Sequence, residues 1–208
     1  MFNFTEDELE KATITYFEEL GYDYIFAPDI APDGERAERK SYADIILEER
    51  VREAVYRVNP KASREAKEEA VRKVLYLDSP SMIVNNRTFH KMITDGIDVT
   101  YHDGKDGEKS EKIFLFDYKT PENNEFLILN QFTIIEAGRN RRPDLIVFVN
   151  GIPLVVIELK SAINEETTIN KAYNQLQTYK NDISSLFNYN AFLVISDGVN
   201  AKAGTVTS

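Results

Sequence analysis

The amino-acid sequence predicts a mixed α/β fold in which a central β-sheet is flanked by helices. Apolar residues recur at helical spacing in residues 5–22 and 167–187. Between and after these segments lie short apolar runs that are bounded by turn-forming residues, which is the pattern of strands. A chain of 208 residues suits one domain, so these helices and strands are expected to share one core.

The N-terminal segment is predicted to be a helix over residues 5–22, followed by a loop over residues 23–34. Thr5 and Glu8 have the spacing of a capping box, and Gly21 is a typical helix end. The loop is predicted because two prolines and a glycine stand close together in that segment.

Residues 36–58 and 62–77 are predicted to form a helical hairpin, inserted into the α/β fold over about residues 36–77. Charged, alanine and aliphatic residues recur there at helical spacing, and Asn59-Pro60 separates the two helices. Charges of alternating sign along these segments are typical of a solvated face. A surface that docks on another domain or protein is the alternative.

From residue 82 onward the sequence predicts short strands and loops, with one helix between the last two strands. A strand pair with a loop at 102–110 is expected within residues 89–119. Further strands are predicted at 125–137, 144–149, 153–160 and 191–196. The apolar face of the helix at 167–187 contains Ala172, Leu176, Tyr179 and Ile183.

The composition excludes several kinds of site. The sequence has no Cys and two His, which excludes disulfides, thiolate metal sites and a multi-His metal site within this chain, so a metal would be held by carboxylates. The sequence has no apolar run long enough to predict a membrane span. Its N-terminus is acidic, which is not typical of a targeting peptide. A cytoplasmic location is therefore expected. A net charge of -10 disfavours a free-standing DNA binder.

Three charged residues stand at the ends of a predicted apolar hairpin, RRPDLIVFVNGIPLVVIELKSA (residues 141–162). Asp144 opens the first run, and Glu158 and Lys160 close the second. Two carboxylates can hold Mg²⁺, which acidifies water, and a neighbouring Lys can position that water or stabilise a phosphate. These residue types therefore predict phosphodiester hydrolysis, with a surface ion pair as the alternative.

The hairpin needs one extra residue if Asp144 and Glu158 are to share a face. With a plain two-residue turn, Asp144 lies opposite Ile157 and points away from Glu158. A longer loop or a β-bulge corrects this. Pro153 cannot donate a hydrogen bond to the ladder, so we expect the irregularity next to it.

These residues resemble the PD-(D/E)xK nuclease superfamily, whose signature is matched by Pro143-Asp144 and Glu158-Leu159-Lys160. Gln175 and Tyr179, one helical turn apart, match the QxxxY element of its RecB-like branch. Other stretches are similar to the N-terminal nuclease region of the restriction (motor) subunit of type I restriction-modification enzymes. They are Asn123-Asn124-Glu125-Phe126, Asn130-Gln131-Phe132, Arg141-Arg142-Pro143-Asp144 and NGIPLVVIELK (residues 150–160). The resemblance covers nearly the whole chain.

The resemblance implies a restriction-endonuclease-like core and a role for each matching residue. Asp144 and Glu158 are expected to hold Mg²⁺ with the carbonyl oxygen of Leu159. Lys160 is expected to orient the attacking water or stabilise the phosphate. The QxxxY pair, Gln175 and Tyr179, is expected to position DNA or the catalytic Lys.

Further site residues are expected around this core. An acidic residue on the first helix often completes such sites, and Glu10 is predicted because its helix face should abut the sheet. Glu6 is the alternative, and a helix cap or solvated face is the other explanation. Arg139, Arg141 and Arg142 are expected to contact DNA phosphates, with a solvated loop as the alternative.

The resemblance further implies a Mg²⁺-dependent endonuclease domain, residues 1–208, that cuts double-stranded DNA without reading local sequence. Such subunits continue into a helicase-like motor, so this chain is expected to be a fragment lacking it. The motor, rather than this chain, would use ATP, and methylation and specificity subunits are the expected partners. A stand-alone RecB-like repair or recombination nuclease and a catalytically inert docking module are the alternative functions.

Overall fold

The structure, a computed structural model, describes residues 5–103, 107–161 and 168–208. The helices in this part of the chain are α1 (Glu6–Glu19), α2 (Glu48–Val58), α3 (Arg64–Leu75), α4 (Met82–Asp95) and α5 (Thr168–Asp182). Short 3-10 turns occupy Ala27–Ile30, Pro121–Asn123 and Ser184–Asn188. None of the helices described is long and apolar enough to cross a membrane.

The strands form one mixed sheet and two small hairpins. They are β1 (Asp23–Phe26), β2 (Ile97–Asp103), β3 (Gly107–Ile113), β4 (Phe126–Asn130), β5 (Ile134–Glu136), β6 (Arg139–Arg141), β7 (Leu145–Val149), β8 (Ile152–Leu159), β9 (Phe192–Ser196) and β10 (Ala201–Gly204). Six strands form the central sheet in the order β1-β4-β7-β8-β9-β10. β1 runs parallel to β4, and β8 runs parallel to β9. The other neighbouring pairs of this sheet, β4–β7, β7–β8 and β9–β10, are antiparallel. β2 pairs with β3 and β5 with β6.

The central sheet buries apolar side chains on both faces, which explains the near-continuous apolar runs in its strands. One face packs against α1 through Ile14, Ile128, Leu145, Val147, Ile157 and Leu159. The other face packs in a larger core with α2, α3, α4 and α5, which includes Val55, Val71, Phe89, Leu129, Phe148, Val156 and Leu176. The mixed α/β prediction is confirmed, and charged residues at the strand ends lie where both layers meet.

The predicted first helix is confirmed as α1. The Thr5 hydroxyl accepts a hydrogen bond from the Glu8 backbone N–H at 3.2 Å, and the Glu8 carboxylate accepts one from the Thr5 N–H at 2.9 Å. This is the capping box that the sequence predicts. Gly21 follows the C-terminal cap with a φ of 89°, a conformation that glycine adopts without strain.

The loop predicted over residues 23–34 is wrong in part, because its first residues form β1. This four-residue strand lies at the edge of the sheet and is parallel to β4, which is far from it in sequence. The predicted turn residues all follow the strand. Pairing with a distant segment therefore decides the conformation here, and local sequence signals do not record it.

The predicted helical hairpin is confirmed as α2 and α3, but residues 36–47 are not helical. Arg39 in this segment is buried, and its Nη1 donates to the carbonyl oxygens of Asp44 at 3.2 Å and Thr133 at 3.0 Å. These bonds hold the segment against the chain near β5. They outweigh the helical propensity that the composition of the segment suggests.

The strand pair predicted within residues 89–119 is confirmed as β2 and β3, but helix α4 precedes it. Asn86 lies on the buried side of α4, and its Nδ2 donates to the carbonyl oxygens of Phe187 at 2.9 Å and Asn190 at 2.7 Å. Buried amides replace part of the expected apolar stripe, which hides the helical period from the sequence.

Other boundaries shift by a few residues. The strand predicted at 125–137 is two strands, β4 and β5, because Gln131 has a φ of 59° and turns the chain. β6 and β10 are not predicted at all, and α5 ends before the predicted limit of the helix at 167–187. In the predicted loop at 102–110, residues 104–106 lie outside the described residues, and β2 and β3 occupy its flanks.

The β7–β8 hairpin contains the predicted extra residue. Phe148 pairs with Pro153, whereas Val147 pairs with Val155, so Leu154 is the bulged residue. The bulge lies directly beside the proline, which cannot donate to the ladder. The prediction of an irregularity at this position is confirmed.

The bulge sets which residues meet at the open end of the hairpin. Leu145 pairs with Ile157, so the next pair in the same register is Asp144 and Glu158. Without the bulge, Asp144 would pair with Ile157, and its side chain would point away from Glu158.

The turn of the same hairpin is anchored by Asn150, which is buried and has a φ of 51°. Its Nδ2 donates to the Leu115 carbonyl and to Asn124 Oδ1, both at 2.9 Å. Its Oδ1 accepts from the Glu125 N–H at 2.8 Å and from Arg57 Nη2 at 3.0 Å. The amide uses its full hydrogen-bonding capacity, and asparagine tolerates this backbone conformation.

We predict that Asn150→Ala lowers the free energy of unfolding by about 2–4 kcal/mol, because buried partners lose their hydrogen bonds. Asn150→Gly keeps the backbone conformation and should be less harmful than alanine. Urea denaturation measures both. Asn140→Ala, at an exposed position, is the matched control and should change stability by less than about 0.5 kcal/mol. Equal stability of Asn150→Ala and the unmodified chain would contradict the anchoring role.

Candidate active site

The candidate site lies at the end of the central sheet where Asp144 precedes β7 and Glu158 and Lys160 close β8. α1 borders it from one face of the sheet and α5 from the other. The Glu158 side chain is 0% exposed and that of Lys160 is 15% exposed. The pair is therefore a buried one and not the surface ion pair that the sequence left open.

Glu158 has one carboxylate oxygen without a partner. Its Oε1 accepts a hydrogen bond from Lys160 Nζ at 2.8 Å, whereas Oε2 is buried with no hydrogen-bond partner in the described part of the chain. Burial raises the pKa of Glu158 to about 7 and the charge of Asp144 adds to this, whereas Lys160 and the neighbouring Tyr179 hydroxyl oppose it. A buried carboxylate oxygen is costly to leave unpaired, so this atom is suited to a cation.

Asp144 is held in place by the backbone of the neighbouring strand. Its Oδ2 accepts a hydrogen bond from the Leu159 N–H at 2.7 Å. Burial raises the pKa of Asp144, and the carboxylates of Glu10 and Glu6 raise it further, although the Leu159 N–H and Lys160 act against this. Two carboxyl groups with raised pKa values at one place indicate a site that binding of positive charge would stabilise.

Lys160 contacts the backbone carbonyl that the family resemblance implicates. Its Nζ donates to the Leu159 carbonyl oxygen at 3.0 Å and lies 3.8 Å from Glu6 Oε1. Burial lowers the pKa of Lys160, but the hydrogen bond and charge of Glu158 outweigh this, so the pKa is raised. The side chain is therefore an ammonium at neutral pH in this arrangement, and it donates hydrogen bonds to both oxygens.

The QxxxY residues lie on α5 beside the two carboxylates. Gln175 Nε2 donates to the Tyr179 hydroxyl at 2.6 Å, and that hydroxyl donates to the Arg142 carbonyl oxygen at 3.3 Å. Burial raises the pKa of Tyr179, and the charge of Glu158 raises it further. The structure thus brings Gln175 and Tyr179 to the site, where the tyrosine stays neutral.

Both acidic candidates on α1 lie near the site. The Glu10 carboxylate accepts hydrogen bonds from Asn130 Nδ2 at 2.7 Å and Gln131 Nε2 at 3.3 Å. Glu6 is exposed and faces Lys160. Sequence reasoning gave no role to Asn130 and Gln131. The available signal was a polar pair at the end of an apolar run.

The three predicted DNA-contacting arginines differ in their surroundings. Arg141 donates from Nε and Nη2 to Asp182 Oδ2, at 2.8 and 2.5 Å. Arg139 and Arg142 have exposed side chains. Arg141 therefore ties β6 to α5, which leaves Arg139 and Arg142 as the better candidates for contacts with phosphates.

The residues that could hold a divalent cation are Asp144, Glu158 and the carbonyl oxygen of Leu159. Among the residues that the structure describes, no group of three or more His, Asp or Glu side chains is arranged to hold a metal. Mg²⁺ commonly uses one or two carboxylates and completes its shell with water and phosphate, so a pair is sufficient. The unpartnered Glu158 Oε2 is the observation that fits such an ion.

A family model described as "Type I restriction enzyme R protein N terminus" matches residues 3–208. The chain belongs to this family. The resemblance to the N-terminal region of type I restriction subunits is thereby confirmed, and the site described above lies in the N-terminal domain of an R subunit.

Curated relatives of this R-subunit domain carry matching names. The chain is 35% identical over 204 residues to the type I restriction enzyme HindI endonuclease subunit of Haemophilus influenzae, covering 98% of this chain and 19% of that protein. It is 36% identical over 204 residues to the putative type I restriction enzyme MjaIXP endonuclease subunit of Methanocaldococcus jannaschii, covering 96% and 19%. The chain thus spans about a fifth of the length of these relatives.

We predict that the stability of this R-subunit domain depends on pH through Glu158. The folded chain keeps a proton on Glu158 up to about pH 7, whereas the ordinary pKa is 4.5. Between these values the native state binds more protons, so stability falls as pH rises. Glu158→Gln removes this dependence, so its stability relative to the unmodified chain should increase from about pH 5 to about pH 8.

Urea denaturation without divalent cations, at constant ionic strength, measures this difference. When the difference in the free energy of unfolding is plotted against pH, its slope should not exceed roughly 1.4 kcal/mol per pH unit, the value for one proton. Glu122→Gln, at an exposed carboxylate, is the control and should give a flat difference. A flat difference for Glu158→Gln as well would rule out the raised pKa.

Proposed function

We propose that this chain is the endonuclease domain of a type I restriction enzyme R subunit. It hydrolyses phosphodiester bonds of double-stranded DNA with Mg²⁺ and does not read the local sequence. The relatives named as endonuclease subunits support this proposal, as does a mixed sheet whose strand ends carry the residues of a PD-(D/E)xK site.

One observation carries the proposal: the buried Glu158, the half-buried Asp144 and an ammonium group converge, and one carboxylate oxygen is unsatisfied. A structural ion pair would be more stable with a partner for Glu158 Oε2 and without the charge of Asp144 beside it. Such an arrangement destabilises the isolated fold, which is typical of residues that are retained for binding and chemistry.

The reaction follows from the positions of these groups. Asp144, Glu158 and the Leu159 carbonyl would hold Mg²⁺, which when bound acidifies water and offsets negative charge on the phosphate. Water attacks phosphorus, one phosphorus–oxygen ester bond breaks, and a proton of the water passes to the leaving oxygen, which leaves a phosphate end and a hydroxyl end. Lys160, whose pKa is raised beside Glu158, donates to the water or to a phosphate oxygen and stabilises the charge that develops.

The residues around the two carboxylates and Lys160 position the strand end and the DNA. Tyr179, held by Gln175, is neutral and donates a hydrogen bond, so it fixes the position of the strand end or of the DNA. Arg139 and Arg142 extend positive charge beside an otherwise acidic site and contact the DNA backbone.

The remaining functions belong to other parts of the assembly. We infer that residues 1–208 form a single endonuclease domain that is followed by a helicase-like motor. The motor hydrolyses ATP and translocates DNA in the cytoplasm, while methylation and specificity subunits recognise the target sequence. This division of labour is consistent with a net charge of -10, since the other parts would provide most of the grip on DNA.

We predict that Lys160→Ala and Asp144→Asn, made in the complete R subunit with its partner subunits, abolish plasmid cleavage. The expected loss is at least about a hundredfold, because charge stabilisation in the transition state is removed. ATP hydrolysis should be unchanged, since this site is separate from the motor. Both activities are measured in the same samples with Mg²⁺.

Lys91→Ala, at an exposed position on α4, is the matched control and should retain cleavage. Cleavage that survives Lys160→Ala would reduce the site to a structural ion pair and would favour an inert docking module. Cleavage by the unmodified chain without ATP or partners would favour a stand-alone nuclease instead.

A second prediction separates the arginines. Arg139→Ala should weaken binding of duplex DNA, because one phosphate contact is lost. The slope of the logarithm of the association constant against the logarithm of the salt concentration should become shallower by about one unit. Arg141→Ala should act mainly on stability, since it leaves the half-buried Asp182 unpaired. Fluorescence anisotropy at several salt concentrations and urea denaturation measure the two effects. Equal salt dependence for Arg139→Ala and the unmodified chain would exclude a phosphate contact.

A further inference from the structure

The end of β4 carries a buried amide that connects three segments of the chain. Asn130 is 7% exposed, its Oδ1 accepts a hydrogen bond from the Tyr24 hydroxyl at 3.0 Å, and its Nδ2 donates to Glu10 Oε1 at 2.7 Å. A carboxylate oxygen accepts hydrogen bonds and does not donate them, so the amide nitrogen must face Glu10. The amide oxygen then accepts from the Tyr24 hydroxyl, which holds the other end of Asn130 from the edge strand β1.

The next residue contacts the other oxygen of the same carboxylate. Gln131 has a φ of 59°, and its Nε2 donates to Glu10 Oε2 at 3.3 Å. The left-handed backbone conformation is uncommon for a residue of this size and ends β4 abruptly. In a regular strand, two successive side chains would point to opposite faces of the sheet. The left-handed conformation of Gln131 instead allows the side chains of Asn130 and Gln131 to reach the same carboxylate.

This amide pair lies next to the candidate active site. Asn130 pairs with Leu145 across β4 and β7, and Leu145 directly follows Asp144. Leu145 in turn pairs with Ile157, which directly precedes Glu158. The held carboxylate of Glu10 is thus brought, from the side of α1, to the sheet end where Asp144 and Glu158 meet.

We propose that Asn130 and Gln131 are positioning residues that hold Glu10 as a third carboxylate of the candidate site. The proposal rests on the nuclease function proposed above and deepens it. Two neutral amides fix the carboxylate without neutralising it, and each of its oxygens keeps a lone pair for a further bond. No group of three acidic side chains in the described residues is close enough to share a metal directly. Glu10 would therefore hold water of a hydrated cation and not the cation itself.

The proposal predicts that Asn130→Leu weakens binding of a divalent cation to this chain by about tenfold, the usual effect of removing an outer-shell partner. Mn²⁺ is the probe, and the electron paramagnetic resonance signal of the free ion gives the affinity without any cleavage reaction. Glu10→Gln should cause a similar loss alone and little more when combined with Asn130→Leu, because both changes remove the same interaction.

Asn59→Leu is the matched control, since it removes another buried amide far along the chain from Asp144 and Glu158. Asn59 Nδ2 donates to the Val55 carbonyl at 2.9 Å and the Phe114 carbonyl at 2.7 Å, so its loss should lower stability and leave Mn²⁺ affinity unchanged. Tyr24→Phe removes only the hydroxyl that orients Asn130. It should weaken Mn²⁺ binding in the same direction but less, and it serves if Asn130→Leu does not fold.

The outcomes separate this proposal from the nuclease assignment. Loss of Mn²⁺ binding in Asp144→Asn together with unchanged binding in Asn130→Leu would overturn the positioning role alone. If Asn130→Leu does not fold, unchanged binding in Tyr24→Phe has the same meaning. Additive losses from Asn130→Leu and Glu10→Gln would also overturn it, because Asn130 would then act independently of Glu10. No Mn²⁺ binding by the unmodified chain would overturn both.

Discussion

Two requirements meet in the β7–β8 hairpin: its strands bury apolar side chains on both faces, and its open end brings Asp144 next to Glu158. A regular ladder from the two-residue turn satisfies the first requirement and fails the second. The extra residue Leu154 resolves this conflict by shifting the register halfway along the strands. The meeting of Asp144 and Glu158 depends on that shift, because side chains alternate between the two faces of the sheet.

The two ends of this hairpin differ in how well their polar groups are satisfied. At the turn, Asn150 uses all its hydrogen-bonding groups on four partners and fixes the backbone. At the open end, Glu158 leaves an oxygen unpaired and has a pKa raised to about 7 by burial. A satisfied network stabilises the fold, whereas a buried oxygen without a partner lowers its stability. The length of the two strands separates these ends, so the turn can be rigid while the open end keeps a carboxylate with an unpaired oxygen and a raised pKa.

Much of the central sheet and its site could be predicted from sequence, and the failures share a cause. The apolar runs and the steric properties of Pro153 are local, so the hairpin and its bulge were predictable. The strand β1 and the non-helical segment containing Arg39 are decided by partners far away in the chain. Likewise, Asn130 and Gln131 gain their role only from a helix at the other end of the sequence. A single sequence reports period and turn chemistry but not which distant segment a polar side chain will meet.

The long sequence separation between Glu10 and Asn130 has a consequence for folding. Their hydrogen bond joins residues 120 positions apart, and Tyr179 lies further still toward the C-terminus. Contacts of this kind form late, since the entropy of closing long loops opposes them until the sheet is assembled. A chain that is still being synthesised has therefore not yet brought these groups together. If the site is a nuclease, a nascent chain that ends before α5 lacks Gln175 and Tyr179 and therefore part of the site.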